Sequence, residues 1–112
     1  MSPRNEINTS DAAVDARQEA LLNRARRCRR RGEHRRAMLA LEQACCLSEH
    51  DARLWTLYAI ECQRAGRNDR AHEALARAVW LRQRQRDTAR VRVTRRLIEW
   101  LKNGSVGPLA AA

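Results

Sequence analysis

The chain contains an internal repeat of 34 residues, and this repeat restricts the possible fold more than any other feature of the sequence. Nine positions of the first copy meet a matching residue 34 positions later, and eight of the nine pairs are identical. The pairs are Leu21 with Trp55, Ala25 with Ala59, Cys28 with Cys62, Gly32 with Gly66, Arg36 with Arg70, Ala37 with Ala71, Leu41 with Leu75, Ala44 with Ala78 and Leu47 with Leu81. The sequence therefore predicts two copies of one structural unit.

Each unit has the spacing of a helix, a turn and a second helix. Small and apolar residues lie four and three positions apart in both halves of a unit, which places them on one face of a helix. Gly32 and Gly66 follow the first helix, where a backbone with positive φ is favoured. One such pair cannot bury its apolar face alone, so we expect the two pairs to stack.

Composition agrees with an all-α fold. Phenylalanine is absent, there are only four glycines and two prolines, and alanine, leucine and arginine dominate. These residues favour helix over strand. At 112 residues the chain is expected to form one domain.

The spacing of the matched residues resembles the tetratricopeptide repeat family. The second unit carries Trp55, Tyr58-Ala59, Cys62, Gly66, Ala71-x-x-x-Leu75 and Ala78, with Gln83 where the family has a closing proline. The first unit matches more loosely and has Glu49 at the proline position. The opening Trp55-x-x-Tyr58-Ala59 also resembles the half-a-tetratricopeptide variant of RNA-processing proteins, but the acid expected seven residues after the tryptophan falls on Cys62.

This resemblance implies a short α-solenoid of two helix-turn-helix pairs with a capping helix. We expect repeats at about 18–51 and 52–85 and a capping helix at about 87–102, all within a helical domain of residues 11–102. Residues 1–10 and 103–112 are predicted to be disordered tails. Helices are predicted from about residue 10 to 31, and at about 34–47, 51–65 and 68–83.

The last two helices carry apolar residues whose partners the sequence leaves open. In the capping helix one stripe is predicted to pack inward: Ala89, Val93, Leu97, Trp100 and Leu101. Val91 and Ile98 lie off this stripe. They either pack within the protein or form a patch for a partner or for self-association, so a homodimer is one possibility. Trp80 is expected to pack against the next helix.

No catalytic or metal-binding arrangement is found in the sequence. Glu61 and Glu73 are expected to face solvent, and Cys28, Cys45, Cys46 and Cys62 to be buried, reduced thiols. The histidines and cysteines show no metal-ligand spacing, so we expect no enzyme, no cofactor and no metal site. No stretch of about 18 apolar residues or signal-peptide core is present, and we expect a cytoplasmic protein.

The resemblance further implies a concave groove lined by the first helix of each unit, which in this family usually binds an extended peptide or a helix. Carried over by register, the candidate lining residues are Leu22, Arg26, Arg29, Arg30, Arg53, Thr56, Ile60, Gln63, Arg64 and Arg90, with Thr94 as a further candidate. A groove of this composition is basic, and arginine binds carboxylates in bidentate fashion. We therefore expect a protein-interaction module, an adaptor or scaffold, with an acidic peptide or helix as partner.

The charge of the chain leaves two alternatives open. All but one of the 23 basic residues are arginine, the formal net charge is +10, and residues 24–36 read RARRCRRRGEHRR. This excess is compatible with binding RNA or DNA through phosphate contacts. It is also compatible with codon bias that only keeps the surface charged. Few aromatic side chains are present to stack on bases, which favours the peptide interpretation.

Overall fold

The structure is a computed structural model that describes residues 3–103, and the side chains of residues 11–103. It contains five helices: α1 (Pro3–Arg30), α2 (His34–Leu47), α3 (Ala52–Arg64), α4 (Asn68–Arg84) and α5 (Thr88–Lys102). Each helix packs mainly on its neighbours in the chain. No strand occurs in this part of the chain, which confirms the all-α class.

Three of the corners between helices share one hydrogen-bonding pattern, the Schellman motif. After α1, the N–H of Glu33 donates to the carbonyl of Cys28 over 2.8 Å, and after α3 the N–H of Arg67 donates to the carbonyl of Cys62 over 2.7 Å. The left-handed residues at these corners are Gly32 (φ 74°) and Gly66 (φ 79°), as the sequence predicted. The corner after α4 has the same bonds, but its left-handed residue is Arg86 (φ 57°).

Aspartates begin two of the helices. A carboxylate oxygen of Asp51 accepts from the backbone N–H groups of Arg53 and Leu54 at the start of α3. The side chain of Asp87 accepts from the N–H of Arg90 at the start of α5. Each aspartate satisfies amide groups that have no partner within the helix.

The core follows the repeated positions. Ala37, Ala44, Ala71 and Ala78 are completely buried, so the paired helices approach closely at these points. Larger side chains fill the space between the helices: Leu21, Met38, Leu41, Leu54, Tyr58 and Leu75. The matched small residues are therefore contacts between helices, which explains why both copies keep them.

The two predicted disordered tails can be compared with the structure only in part. α1 begins at Pro3, inside the predicted disordered tail of residues 1–10, and residues 1 and 2 lie outside the described residues. The predicted C-terminal tail, apart from Asn103, lies outside the described residues.

In α5, the predicted inward stripe is wrong in its first half. Ala89 is exposed and Val93 is 56% exposed, whereas Val91 is only 7% exposed and Thr94 is completely buried. Leu97, Ile98 and Leu101 pack against the core from the same side. Val91 and Ile98 thus contribute to the interior and do not form a patch for a partner.

Three further burial predictions are wrong. Trp80, expected to pack against the next helix, is 44% exposed, and its ring contacts Arg77 and Arg84 of its own helix. Of the four cysteines only Cys45 and Cys62 are buried, while Cys28 is half-buried and Cys46 is exposed. Glu61, expected to face solvent, is 2% exposed, whereas Glu73 is exposed as predicted.

Candidate functional site: a basic groove between α1 and α3

A groove of about 180 Å³ lies between α1 and α3. Six of the ten predicted site residues line it: Leu22, Arg26, Arg29, Arg53, Ile60 and Arg64. Ala25, Leu41, Leu57 and Glu61 complete the lining. The structure therefore brings together the two helices that the register of the repeat predicted as neighbours.

Helical periodicity explains how these side chains reach the groove. Leu22, Arg26 and Arg29 are four and three positions apart on α1, which places them on one face. Ile60 and Arg64 are four positions apart on α3. Half-buried Leu22, Leu57 and Ile60 thus form an apolar strip between arginines.

Glu61 is a buried acid in the wall of this groove. Its Oε2 lies 2.8 Å from Nδ1 of His34, and its Oε1 lies 3.0 Å from Nη1 of Arg64. A carboxylate can only accept, so both nitrogens donate to it. Arg64 is therefore engaged in a structural ion pair, whereas the sequence predicted it as a contact for a ligand. No signal in the pattern of apolar residues could reveal the burial of Glu61.

The remaining arginines of the groove have no carboxylate partner in the part of the chain that the structure describes. Arg26 donates to the side-chain amide oxygen of Asn23, over 2.9 Å. Within the described residues, none of Arg26, Arg29 and Arg53 forms an ion pair with a carboxylate. All three are exposed, so the groove has a positive rim that is open to a ligand.

The other predicted site residues do not line this groove. Arg30 is exposed beside it, Gln63 is half-buried, and the hydroxyl of Thr56 donates to the carbonyl of Ala52. Arg90 lies at a second cavity and pairs with Asp87 over 3.0 Å. Thr94, the further candidate, is completely buried in α5 and cannot reach a ligand.

The second cavity, of about 830 Å³, lies between the α2–α3 loop and the corner that joins α4 to α5. Residues 46–53 form one side, and Arg82, Gln85, Asp87 and Arg90 form the other. Arg82 is only 9% exposed and donates to the hydroxyl of Thr94. Burial, and then the charge of Arg90, lower the pKa of the Arg82 guanidinium below its ordinary value.

A cluster of tryptophan and arginine side chains forms a third feature. The guanidinium of Arg77 lies 5.8 Å from the ring centre of Trp55 and 5.2 Å from that of Trp80. Arg84 covers the Trp80 ring at 4.9 Å. These are cation–π contacts. They explain how a large aromatic side chain is kept at the surface.

The buried thiols are chemically quiet. Burial raises the pKa of Cys45 to about 12 and that of Cys62 to about 11. Both remain protonated at neutral pH and are poor nucleophiles. In the part of the chain described here, no group of three or more histidine, cysteine or acidic residues is placed to hold a metal ion. None of the helices in this range combines the length and the hydrophobicity of a membrane span.

Comparison of the chain with protein-family models, with curated proteins and with solved structures finds no match.

Proposed function

We propose that this protein is an interaction module of the tetratricopeptide type that binds an acidic, partly apolar segment of a partner protein in the α1–α3 groove. One observation carries the proposal: Arg26, Arg29 and Arg53 surround the strip of Leu22, Leu57 and Ile60 and have no carboxylate partner among the described residues. The 34-residue repeat and its glycine corners support the family assignment.

The chemistry of the groove defines the ligand. Each guanidinium can bind both oxygens of a carboxylate, and such charge-assisted pairs are stronger than neutral hydrogen bonds. The apolar strip gains from burying leucine or isoleucine side chains, at roughly 25 cal/mol per Å² of apolar surface. A segment that places glutamate or aspartate beside aliphatic residues satisfies both requirements.

The test is a binding measurement with a labelled peptide in which glutamate and leucine alternate. We expect saturable binding, and we expect a peptide with lysine in place of glutamate to show none. Arg26→Glu combined with Arg29→Glu is expected to weaken binding at least tenfold, equivalent to about 1.4 kcal/mol or more. Arg64 is unsuitable for this test because its reversal would break the ion pair with Glu61.

The matched control is Arg31→Glu combined with Arg35→Glu, which changes the net charge equally at exposed positions that do not line the groove. Its affinity for the acidic peptide should stay within about threefold of the parent, as expected of distant charges screened by salt. Equal losses in the two double variants would show that only net charge matters and would refute a groove site.

A second candidate function, binding of single-stranded nucleic acid, is favoured by Trp80. The sequence left few aromatic rings for base stacking, yet this ring is exposed between the guanidinium groups of Arg77 and Arg84. Stacking of a base on an aromatic ring contributes about 1–3 kcal/mol. A base that stacks on Trp80 displaces the guanidinium of Arg77 or Arg84 from the ring, and that arginine can then contact a phosphate.

This candidate is tested by titrating labelled single-stranded RNA at several salt concentrations. Binding at the Trp80 surface predicts a steep log–log dependence on salt and at least a fivefold loss in Trp80→Ala. An unchanged affinity in Trp80→Ala would exclude Trp80 as the stacking platform. The Arg26→Glu, Arg29→Glu variant should retain RNA binding in this case, which separates the two candidates.

A further inference from the structure

The second cavity combines features that attract an anion. The N-termini of α3 and α5 both lie at its wall, through Ala52 and Arg53 on one side and Asp87 and Arg90 on the other. The positive end of a helix dipole favours negative charge within its first turn, and Asp51 and Asp87 already supply one carboxylate to each of these two ends. The cavity volume of about 830 Å³ is within the range of small-molecule sites.

The decisive residue is Arg82, more than nine-tenths buried at the end of α4. Its one hydrogen bond among the described residues goes to the neutral hydroxyl of Thr94, and it forms no ion pair with a carboxylate of this part of the chain. A buried charge without a counter-ion is costly, and buried guanidinium groups are normally paired. Arg82 itself lines the cavity.

Three acids lie at the cavity wall: Glu49 is exposed, and Asp51 and Asp87 are occupied by other partners. Asp51 accepts from the N–H groups of Arg53 and Leu54. Asp87 accepts from the N–H of Arg90 and, over 3.0 Å, from its guanidinium. Their charges act on Arg82 from a distance but do not outweigh burial and the charge of Arg90, because the pKa of Arg82 remains lowered.

We propose that this cavity is a binding site for a small oxyanion, a carboxylate or a phosphate group, held by the guanidinium of Arg82 with Arg53 at the rim. Two oxygens on one centre match the planar fork of arginine, which neither water nor chloride can do. The site shares only Arg53 with the α1–α3 groove, so the two sites can be tested apart.

The experiment is an NMR titration of the full chain with sodium phosphate and, separately, sodium succinate, at ionic strength kept constant with sodium chloride. We expect saturable amide shifts for at least one anion, concentrated in residues 49–53 and 85–90. Saturation by phosphate alone assigns a phosphate ligand, and saturation by succinate alone assigns a carboxylate ligand. Shifts that do not saturate, or that scatter over exposed arginines, overturn the proposal.

Variants localise the site. Arg82→Gln should lower the affinity for the anion at least tenfold, because it removes the charged guanidinium that can bind two oxygens at once. Arg84→Gln, which removes an exposed arginine two residues away, should leave the affinity unchanged. Equal affinity in Arg82→Gln and the parent overturns the assignment. If Arg82→Gln fails to fold, Arg82→Lys is used in its place. Lysine keeps the positive charge but lacks the planar guanidinium that binds two oxygens at once.

Independence from the groove is checked with the Arg26→Glu, Arg29→Glu variant. This variant should bind the anion with the affinity of the parent protein. Failure of the acidic peptide to bind would refute the proposed function but would not affect the anion titration. Failure of the anion to bind would refute the anion site but would not affect the peptide measurement.

Discussion

Nδ1 of His34, at the start of α2, lies 2.8 Å from Oε2 of Glu61 in the third turn of α3. Arg64 binds the other oxygen of the same carboxylate, over 3.0 Å. One buried acid therefore connects two helices from different repeat units and holds an arginine at the edge of the groove. The contact links the stability of the fold to the shape of the candidate site.

Replacing Glu61 by alanine is expected to lower the free energy of unfolding by about 2–3 kcal/mol, because it removes a buried carboxylate that binds both His34 and Arg64. Urea denaturation measures this loss. The control is Glu73→Ala, whose side chain is exposed on α4 and whose effect should stay within about 0.5 kcal/mol. Equal effects of the two substitutions would contradict the buried role of Glu61.

At the left-handed corners, replacing a glycine should destabilise the protein, whereas introducing a glycine in place of Arg86 should stabilise it. A Cβ added at Gly66 would meet no atom within 4 Å, so Gly66→Ala should lose about 1 kcal/mol through backbone strain alone. Arg86→Gly should gain stability by about 0.5–1 kcal/mol, because it relieves the same strain. Thermal and urea unfolding give both values.

Gln85 provides the matched control for the corner after α4. Its φ of −80° lies in the right-handed region, so Gln85→Gly relieves no strain and should not stabilise the protein. A gain in Gln85→Gly equal to that in Arg86→Gly would mean that the left-handed backbone is not the cause.

The cap of α5 predicts a loss of stability in acid. The backbone N–H of Arg90, helped by its guanidinium, holds the pKa of the Asp87 carboxyl below its ordinary value of 3.8. The stabilisation is therefore complete at neutral pH, begins to decline near pH 3.8 and is lost as the pH falls through the folded-state pKa.

This dependence is measured by unfolding the parent and Asp87→Asn in urea between pH 7 and pH 2. Asparagine keeps an acceptor for the cap but has no charge to titrate. We expect the parent to be the more stable protein at pH 7 and the difference to shrink as the pH falls below about 4. A difference that is constant with pH would exclude the charge of Asp87 as its source.

The four thiols are expected to react in order of their exposure. Cys46 is exposed and should be alkylated first by iodoacetamide at pH 8, followed by half-buried Cys28. Cys45 and Cys62 should remain unmodified in the folded protein, because burial both shields them and raises their pKa to about 12 and about 11. Peptide mass spectrometry gives the order, and in guanidinium chloride all four should react. Early modification of Cys45 would contradict the packing of α2.

The sequence determines the helices and their corners because both depend on local chemistry. Residues such as Gly32, Gly66, Asp51 and Asp87 act within one or two turns of their own positions. The periodic spacing of Ala37, Ala44, Ala71 and Ala78 likewise predicts which face of α2 and α4 is buried. The boundaries of α2 agree with the prediction. Six of the predicted site residues line one groove because α1 and α3 occupy equivalent places in the repeat.

The tertiary structure decides which of two apolar faces is used in α5. Apolar residues lie on more than half of its circumference, so periodicity alone admits either Val93 or Val91 as the inward residue. Packing on α4 selects the face of Val91 and Thr94, where the hydroxyl of Thr94 meets the buried guanidinium of Arg82. The outcome depends on a contact between residues 12 positions apart, which no local pattern contains.

The polar interior is also a property of the tertiary structure. The sequence predicted Glu61 to face solvent, and a charged residue such as Arg82 is ordinarily exposed too, because burying a charge is unfavourable unless a partner is brought to it. Glu61 has one partner on its own helix, Arg64, but its second partner, His34, is 27 residues away, and only the packing of α2 on α3 supplies it. The sequence alone thus determined the repeat, the helices and their corners, whereas long-range packing decided which charges are buried and which arginines remain open to a ligand.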